Sequence, residues 1–234
     1  MRDPVHQDGY FPFKSEHAKD AREKDLKEFY HVYPWGRVPE SLVDETRAFY
    51  ADLVGLGTEL LGWLDNQLPA DIAKKLSAPL QDMMAGSEQS LLRILHYPPV
   101  AKDDRVAAIR AAAHEDINLI TLLVGATADG LQVMDHDGSL IEVEGNHDHI
   151  IVDSGDMLQN LTNGLFKSTT HRVINPPDAI SDRYSMPMFV HPRNEVDLTP
   201  LPEFVEMTGG EVLYDSINAG DFLHQRLVEI GLAS

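Results

Sequence analysis

The segment His114-Glu115-Asp116 places an imidazole and a carboxylate at a spacing that suits a metal ion. In an extended strand alternate side chains share a face, so His114 and Asp116 point together and Glu115 points away. One imidazole and one carboxylate are two of the three ligands of a 2-His-1-carboxylate triad, which leaves positions on Fe(II) open for substrates and dioxygen. By itself the pattern is weak, because a surface strand or a turn often carries the same residues.

A third ligand has to come from a later strand, and His171 lies 55 residues after Asp116. Twelve residues after His171 the chain has Arg183-Tyr184-Ser185, in which strand alternation places Arg183 and Ser185 on one face. A guanidinium beside a hydroxyl can hold a carboxylate through charge-assisted hydrogen bonds. The order of these residues therefore predicts an iron site followed by an anchor for a carboxylate.

A second histidine pair, His147 and His149, also has ligand-like spacing. No matching set of further ligands follows this pair, so we interpret it as part of a polar loop that enters a strand. Asp135 and Asp137 lie beside Gly138 and are interpreted as residues of a hairpin turn rather than as ligands.

The elements that would carry these residues are short apolar segments in the second half of the chain. Strands are predicted at 91–97, 117–124, 131–134, 140–143, 149–153, 157–161, 171–174 and 183–190. Glycine, proline and asparagine residues separate several of them, as is typical of turns. Many short strands at close spacing predict a sandwich or barrel of the jelly-roll type.

Helices are predicted mainly outside this series. Leu42, Leu53 and Leu64 belong to an apolar stripe with helical spacing that follows Pro39, which predicts a long amphipathic helix. We favour a scaffold helix over a dimeric coiled coil for this stripe. Shorter helices are predicted at 24–30, 71–84 and 220–230. The expected fold class is therefore mainly β with flanking helices, the N-terminal helices packing on the barrel.

The composition narrows the possible functions. The 234 residues include 19 basic and 38 acidic side chains, for a formal net charge of −19, and no cysteine. So acidic a chain disfavours binding to nucleic acid or to an anionic membrane surface. Without cysteine, disulfides, thiolate nucleophiles and iron–sulfur sites are excluded. The sequence has no apolar run of about 20 residues and no signal-like N-terminus, so a cytoplasmic location is expected.

Ten short motifs extend this pattern along the chain. They occupy residues 9–13, 31–35, 92–98, 113–116, 121–123, 130–133, 155–159, 162–164, 171–173 and 183–187. In their order and spacing, from about Gly9 to Leu232, these motifs resemble the Fe(II)/2-oxoglutarate-dependent dioxygenases of the isopenicillin N synthase-like family. The resemblance implies an enzyme with a double-stranded β-helix, or jelly-roll, fold.

The resemblance assigns Fe(II) to His114, Asp116 and His171, and it implies that O2 and 2-oxoglutarate are consumed. In such enzymes oxidative decarboxylation of 2-oxoglutarate to succinate and CO2 drives the oxidation of a small organic molecule, by hydroxylation, desaturation or ring closure. The protein contributes the metal geometry, the orientation of the reactants and a dry pocket. No catalytic residue beyond the metal ligands is implied.

For the cosubstrate, the resemblance places Arg183 and Ser185 on the distal carboxylate of 2-oxoglutarate, with Tyr97 reaching the same molecule. The alternative for Tyr97 is simple packing ahead of Pro98. The family has an asparagine two residues before this tyrosine, where this chain has Leu95. That departure supports an alternative function, an isopenicillin N synthase-like oxidase or cyclase that uses no 2-oxoglutarate.

The resemblance also divides the chain. Residues 1–90 correspond to an incomplete N-terminal helical region, and residues 91–234 to the double-stranded β-helix core with a C-terminal helix, together expected to form one structural unit. The usual opening strand and helix of the family have no counterpart, so a truncated start is expected. This motivates a third hypothesis, a non-catalytic jelly-roll binding module. No interface pattern is visible, and a monomer is favoured.

Overall fold

The structure, a computed structural model, describes residues 7–16, 24–99, 109–146, 148–175 and 181–230. These residues contain ten β-strands and six α-helices. The strands are β1 Gly9–Phe11, β2 Glu28–Val32, β3 Leu91–Tyr97, β4 Ile109–His114, β5 Ile120–Val124, β6 Leu131–Met134, β7 Leu140–Val143, β8 Ile150–Ser154, β9 His171–Ile174 and β10 Arg183–Val190. The helices are α1 Val43–Gln67, α2 Ala70–Ala73, α3 Leu80–Met83, α4 Asp156–Leu161, α5 Pro202–Met207 and α6 Ala219–Glu229, with a 3-10 turn at Glu40–Leu42.

The strands form two antiparallel sheets with the orders β1-β2-β3-β10-β5-β8 and β4-β9-β6-β7. Apolar side chains from both sheets meet in one buried layer, which contains Phe29 of β2, Leu95 of β3, Leu131 of β6 and Val173 of β9. Two sheets packed in this way are the predicted jelly roll, so the expected fold class is confirmed.

The long helix predicted in the N-terminal third is confirmed as α1, and it packs on the larger sheet. Its buried Leu53 and Leu61 join one apolar cluster with Leu122 of β5 and Val190 of β10. A Cβ on Gly57 would lie 3.1 Å from the Val190 side chain, so glycine permits the close approach of helix and sheet. In the described part of the chain, no helix combines the length and the apolar character needed to cross a bilayer.

Two helix predictions near the N-terminus are wrong. The segment 24–30 runs into strand β2, which pairs with β1 and β3. The helix predicted at 71–84 is broken into α2 and α3, because Pro79 interrupts the backbone hydrogen bonds and α3 begins directly after it. The Asp65 carboxylate fixes this second start by accepting hydrogen bonds from the backbone N–H of Leu80 and Gln81 (2.8 and 3.0 Å).

The strand predicted at 157–161 is also wrong, because this segment forms helix α4. Met157, Leu158 and Leu161 are buried in the same apolar cluster, and their three- and four-residue spacing is helical. Strand β4, by contrast, has no counterpart among the predicted elements. It contains three consecutive alanines, a residue that is depleted in strands.

The first two strands tie residues before position 91 into the larger sheet. β1 pairs with β2, β2 with β3, and β3 with β10. The N-terminal region therefore contributes strands as well as helices to the sheet from which the predicted carboxylate anchor projects.

At the surface of the larger sheet, His96 of β3 contacts acidic residues on both sides of its strand. His96 Nδ1 lies 2.8 Å from Glu28 Oε1 of β2, and its Nε2 lies 2.6 Å from Asp182 Oδ1, just before β10. Tyr184 stacks on the ring, with 4.8 Å between centroids, and Tyr10 donates a hydrogen bond to Glu28. Although burial opposes it, hydrogen bonding to Glu28 and Asp182 raises the pKa of His96.

Replacing His96 by glutamine is expected to lower stability most near pH 6, below the ordinary histidine pKa of about 6.5, and progressively less toward pH 9. Because the pKa is raised on folding, protonated His96 stabilises the fold fully below the unfolded-state pKa. That contribution is lost as pH rises through the folded-state pKa. Urea unfolding midpoints between about pH 6 and 9 measure the effect, with His136→Gln in the exposed turn after β6 as control. A destabilisation that stays constant to pH 9 would contradict the prediction.

Candidate functional site

Antiparallel pairing of β4 and β9 brings the three predicted metal ligands together. His114, the last residue of β4, pairs in register with His171, the first residue of β9. Asp116 follows in the loop, and its Oδ1 lies 3.9 Å from the Nε2 atoms of both histidines. The possible ligand atoms of the three residues all lie within 4.8 Å of one another. His114 and Asp116 point together as expected, but β4 ends at His114, so a loop and not a continuous strand places Asp116.

Backbone carbonyls orient both imidazoles. His114 Nδ1 lies 2.7 Å from Ala112 O, and His171 Nδ1 lies 3.0 Å from Thr169 O. Because a carbonyl oxygen only accepts, each Nδ1 carries the proton and each Nε2 keeps its lone pair for a ligand. Two imidazoles oriented in this way beside one carboxylate fit a divalent transition-metal ion.

Burial and neighbouring charges set the protonation of this group. Burial, followed by the proximity of His171, lowers the pKa of His114 to about 4. Burial also disfavours charge on His171, but the carboxylates of Asp116 and Asp153 outweigh it and raise the pKa of His171. Metal ligands have to be deprotonated, so metal binding by this group is expected to weaken as pH falls.

A short chain of hydrogen bonds holds Asp116 in place. Its Oδ2 accepts from Thr121 Oγ1 (2.5 Å), which in turn accepts from Asn118 Nδ2 (2.8 Å). The backbone O of Asp116 accepts from the N–H of Asp156 (2.7 Å) at the start of α4. These contacts fix the loop while Oδ1 faces the two histidines, as is common for metal-binding carboxylates.

The loop that carries Asp116 packs tightly against Gly155. A Cβ at this position would collide with the backbone oxygen of Asn118 and lie 2.8 Å from the backbone oxygen of Asp116. Gly155→Ala is therefore expected to destabilise the fold by about 1–3 kcal/mol. It should also weaken Fe(II) binding, because the loop has to move.

Gly55→Ala in α1 is the matched control, since a Cβ there meets nothing within 4 Å. This change is expected to be neutral or to stabilise by up to about 1 kcal/mol, because alanine is the better helix former. Urea unfolding and anaerobic Fe(II) binding measure both variants. Equal effects of the two substitutions would contradict the tight packing at Gly155.

The predicted carboxylate anchor is buried at the start of β10. Arg183 pairs in register with Tyr97 of β3, and its Cζ lies 5.1 Å from the centroid of the Tyr97 ring. Its Nη1 lies 3.4 Å from Ser185 Oγ, and its Nε donates to Ala128 O (3.0 Å). Burial lowers the pKa of Arg183, and no carboxylate among the described residues forms an ion pair with it. A buried cation without such a counter-ion fits an anionic ligand.

One cavity joins the predicted metal ligands to the predicted carboxylate anchor. It has a volume of about 170 Å³, and all six predicted site residues contribute to its lining. A larger cavity of about 630 Å³ borders it and shares His114, Asp116, Lys27, Arg93 and Phe189. The arrangement offers a small, largely apolar chamber with polar groups for a metal and an anion, beside a roomier space for a second molecule.

Comparison with known proteins decides the family. A family model described as the 2OG-Fe(II) oxygenase superfamily matches residues 88–192, a stretch that contains all six predicted site residues. A crystal structure of a protein from Shewanella oneidensis, assigned as an oxygenase, is 44% identical with a TM-score of 0.80 and covers 99% of this chain and 78% of that chain. The chain belongs to the 2OG-Fe(II) oxygenase superfamily.

Two further proteins are similar to this chain. A full-length Neurospora crassa protein, crystallised in complex with alpha-KG, is 26% identical, with a TM-score of 0.74 over 97% of this chain and 74% of that chain. The 2-oxoglutarate-dependent dioxygenase gloF of Glarea lozoyensis is 35% identical over 69% of this chain and 53% of its own length. The chain spans about half the length of the curated relatives that it matches.

The departure at Leu95 gives the small cavity an apolar wall. Leu95 is buried, pairs in register with Ser185 and lines the cavity. The polar contact that an asparagine would offer is therefore missing at this position. Arg183 and Ser185 on the neighbouring strand keep their polar groups in the same cavity.

Of the other histidine pair, the structure describes only His149. His147 is outside the described residues, and His149 is exposed just before β8. Within the described ranges, His114, Asp116 and His171 form the only group of three or more such side chains that could hold a metal ion.

Sequence reasoning missed several polar residues that surround the candidate site. Thr121 had an available signal, since it lies five residues after Asp116 in a predicted strand. Lys27, Asp153 and Arg110 had none, because their positions near the site depend on contacts between distant segments.

Proposed function

We propose that this oxygenase is an Fe(II)- and 2-oxoglutarate-dependent dioxygenase that hydroxylates, or otherwise oxidises, a small organic molecule and releases succinate and CO2. The observation that carries the proposal is one cavity that joins the His-Asp-His group to a buried arginine without a described carboxylate partner. His114, Asp116 and His171 would hold Fe(II). Bound there, Fe(II) supplies the dioxygen and redox chemistry that side chains alone cannot provide.

The dicarboxylate cosubstrate is held at both ends in this proposal. Arg183 binds the distal carboxylate through charge-assisted hydrogen bonds, and Ser185 adds a hydroxyl at the same end. Tyr97, buried and in contact with Arg183, closes that end of the cavity. Fixing the distal carboxylate directs the 2-oxo acid end toward the metal ligands, which replaces diffusion by a fixed orientation.

We place the organic substrate in the larger cavity. Lys27 and Arg93 lie in the wall shared with the smaller one, and both are paired with acids. Lys27 Nζ lies 2.9 Å from Glu16 Oε2 and 2.8 Å from Asp25 Oδ2, while Arg93 donates two hydrogen bonds to the Glu16 carboxylate. Because these charges are compensated, the wall offers little net attraction to a strongly anionic substrate.

The relatives favour this activity over an oxidase that needs no cosubstrate. A similar curated protein is named a 2-oxoglutarate-dependent dioxygenase, and the similar Neurospora crassa structure holds alpha-KG. Leu95 remains the one observation that favours the oxidase. A non-catalytic binding module is disfavoured because the side chains for both iron and dicarboxylate are kept in one cavity.

Anaerobic titration of the Fe(II)-loaded protein with 2-oxoglutarate tests the proposal. Chelation of iron by a 2-oxo acid gives a weak visible charge-transfer band, and we expect this band to appear and saturate. Iron binding without the band would favour the cosubstrate-independent oxidase. Failure to bind iron at all would favour the binding module.

We also propose that residues 1–90 and 91–234 form one structural unit, which is monomeric and cytoplasmic. The shared sheet supports the single unit, because β1 and β2 come from the first segment and β3 and β10 from the second. Light scattering after size exclusion is expected to give the mass of one chain. A dimer mass would overturn the monomer, and recovery outside the cytoplasmic fraction of the source cells would overturn the location.

A further inference from the structure

A second arginine, Arg110 of β4, is buried four residues before His114 and has no exposed surface. Its Nη2 donates to the backbone oxygen of Ser181 (3.2 Å). Its Nε and Nη1 are buried and have no hydrogen-bond partner among the residues that the structure describes. A buried guanidinium with two orphaned nitrogens is costly unless something compensates its charge.

Arg110 and Arg183 approach the same aromatic ring. The Cζ atoms of Arg110 and Arg183 lie 5.9 and 5.1 Å from the centroid of Tyr97. Burial lowers the pKa of Arg110, and the positive charge of Arg183 lowers it further. The ring attracts both cations, but a neutral ring cannot cancel two charges.

Asp182 attracts Arg110 and Asp129 attracts Arg183, but neither acid forms an ion pair with an arginine of this pair. Asp182 is paired with His96, and Asp129 accepts a hydrogen bond from the backbone N–H of Gly145 (2.8 Å). Within the described ranges neither arginine forms an ion pair with a carboxylate. Two buried guanidinium groups beside the same ring repel each other. This repulsion destabilises the fold unless an anion lies between or beside them.

We propose that Arg110 is a second cation of the dicarboxylate site and strengthens the hold of Arg183 on the distal carboxylate of the cosubstrate. This inference rests on the proposed function. Arg110 does not line the cavity, whereas Tyr97 and Arg183 do. It is therefore a positioning residue: its charge acts through the Tyr97 ring and across a buried region of low dielectric, where an extra cation still attracts a carboxylate strongly.

The distal carboxylate provides the test, because 2-oxopentanoate has the same carbon chain and the same 2-oxo acid end but lacks that group. Dissociation constants of both ligands are measured anaerobically on the Fe(II)-loaded protein from the charge-transfer band. For Arg110→Met we expect binding of 2-oxoglutarate to weaken about 10-fold or more, while binding of 2-oxopentanoate changes less than about 2-fold. Arg110→Lys, which keeps the charge, should recover part of the loss.

Arg172→Met is the matched control. Arg172 lies in β9 and its Nε donates to Gln132 Oε1 (2.8 Å), so this variant removes an arginine from a strand without touching the proposed anion site. It should leave the ratio of the two dissociation constants unchanged.

The other possible results contradict either the role of Arg110 or the proposed function. Equal weakening of both ligands by Arg110→Met would show that Arg110 only supports the fold, and unchanged binding of both would show that its charge plays no part. Either result removes the inference and leaves the proposed function intact. A wild-type protein that binds iron but gives no band with either 2-oxo acid would instead overturn the proposed function.

Discussion

Fe(II) binding is expected to disappear when His171 is replaced by alanine. The change removes one of three donors whose ligand atoms converge within 4.8 Å, and His114 and Asp116 alone give an incomplete site. Loss of an outer contact to a metal ligand typically costs roughly 10- to 100-fold in affinity, so loss of a ligand itself should cost more. Equilibrium dialysis under anaerobic conditions measures the bound iron. Conversion of 2-oxoglutarate to succinate without added substrate should stop as well.

His149→Ala is the control for this prediction. His149 is exposed, and it belongs to the other histidine pair that the sequence offered as ligands. Its replacement should leave iron binding unchanged. The unfolding midpoint of His171→Ala has to be followed too, because His171 Nδ1 also lies 3.7 Å from Asp153 Oδ2. A folded His171→Ala protein that still forms succinate would show that the assignment of the triad is wrong.

Five strands, β3, β6, β7, β9 and β10, are predicted residue for residue, and the β6–β7 pair shows how a local turn signal makes this possible. The segments 131–134 and 140–143 match β6 and β7 residue for residue. Gly138 between them adopts a φ of +84°, which glycine tolerates without strain, and Asp137 accepts a hydrogen bond from the N–H of Ser139. Once the turn is fixed, the pairing register of a hairpin follows from it.

The elements that were predicted wrongly depend on partners far away in the chain. β2 forms because β1 and β3 flank it, and nothing in its own sequence requires a strand. The alanines of β4 pair with β9, about 60 residues later, with irregular register. α4 spans six residues, and a short apolar run of this length does not distinguish helix from strand.

Some residues of the candidate site could likewise be predicted from the sequence, whereas others depend on contacts between distant segments. His114, Asp116, His171 and Arg183 were predicted because their chemical types and their order along the chain suit a metal site followed by a carboxylate anchor. Arg110 lies in β4 as well, but an arginine among alanines gives no sign that it is buried. Only the packing around Tyr97 and Ser181 shows that its charge lacks a described counter-ion.

Replacing Arg183 by alanine is expected to spare iron binding and to weaken 2-oxoglutarate binding by about 2–3 kcal/mol, roughly 30- to 150-fold. The metal ligands come from β4, the following loop and β9, whereas Arg183 lies on β10 in the other sheet. Anaerobic titration measures the loss, and the KM for 2-oxoglutarate in aerobic succinate formation should rise in parallel. Arg193→Ala, which removes a partly exposed arginine after β10, is the control.

Melting temperatures distinguish cosubstrate binding by Arg183 from a purely structural role of this residue. In the ligand-free protein, Arg183 is a buried cation that no described carboxylate neutralises, so its removal also removes an unfavourable charge. The melting temperature of ligand-free Arg183→Ala is therefore expected to fall little, or even to rise. The increase that 2-oxoglutarate produces in the wild-type protein should be lost in the variant, because a ligand stabilises only the state that binds it. A variant that melts much earlier yet keeps the full increase would mean that Arg183 supports the sheet and does not bind the cosubstrate.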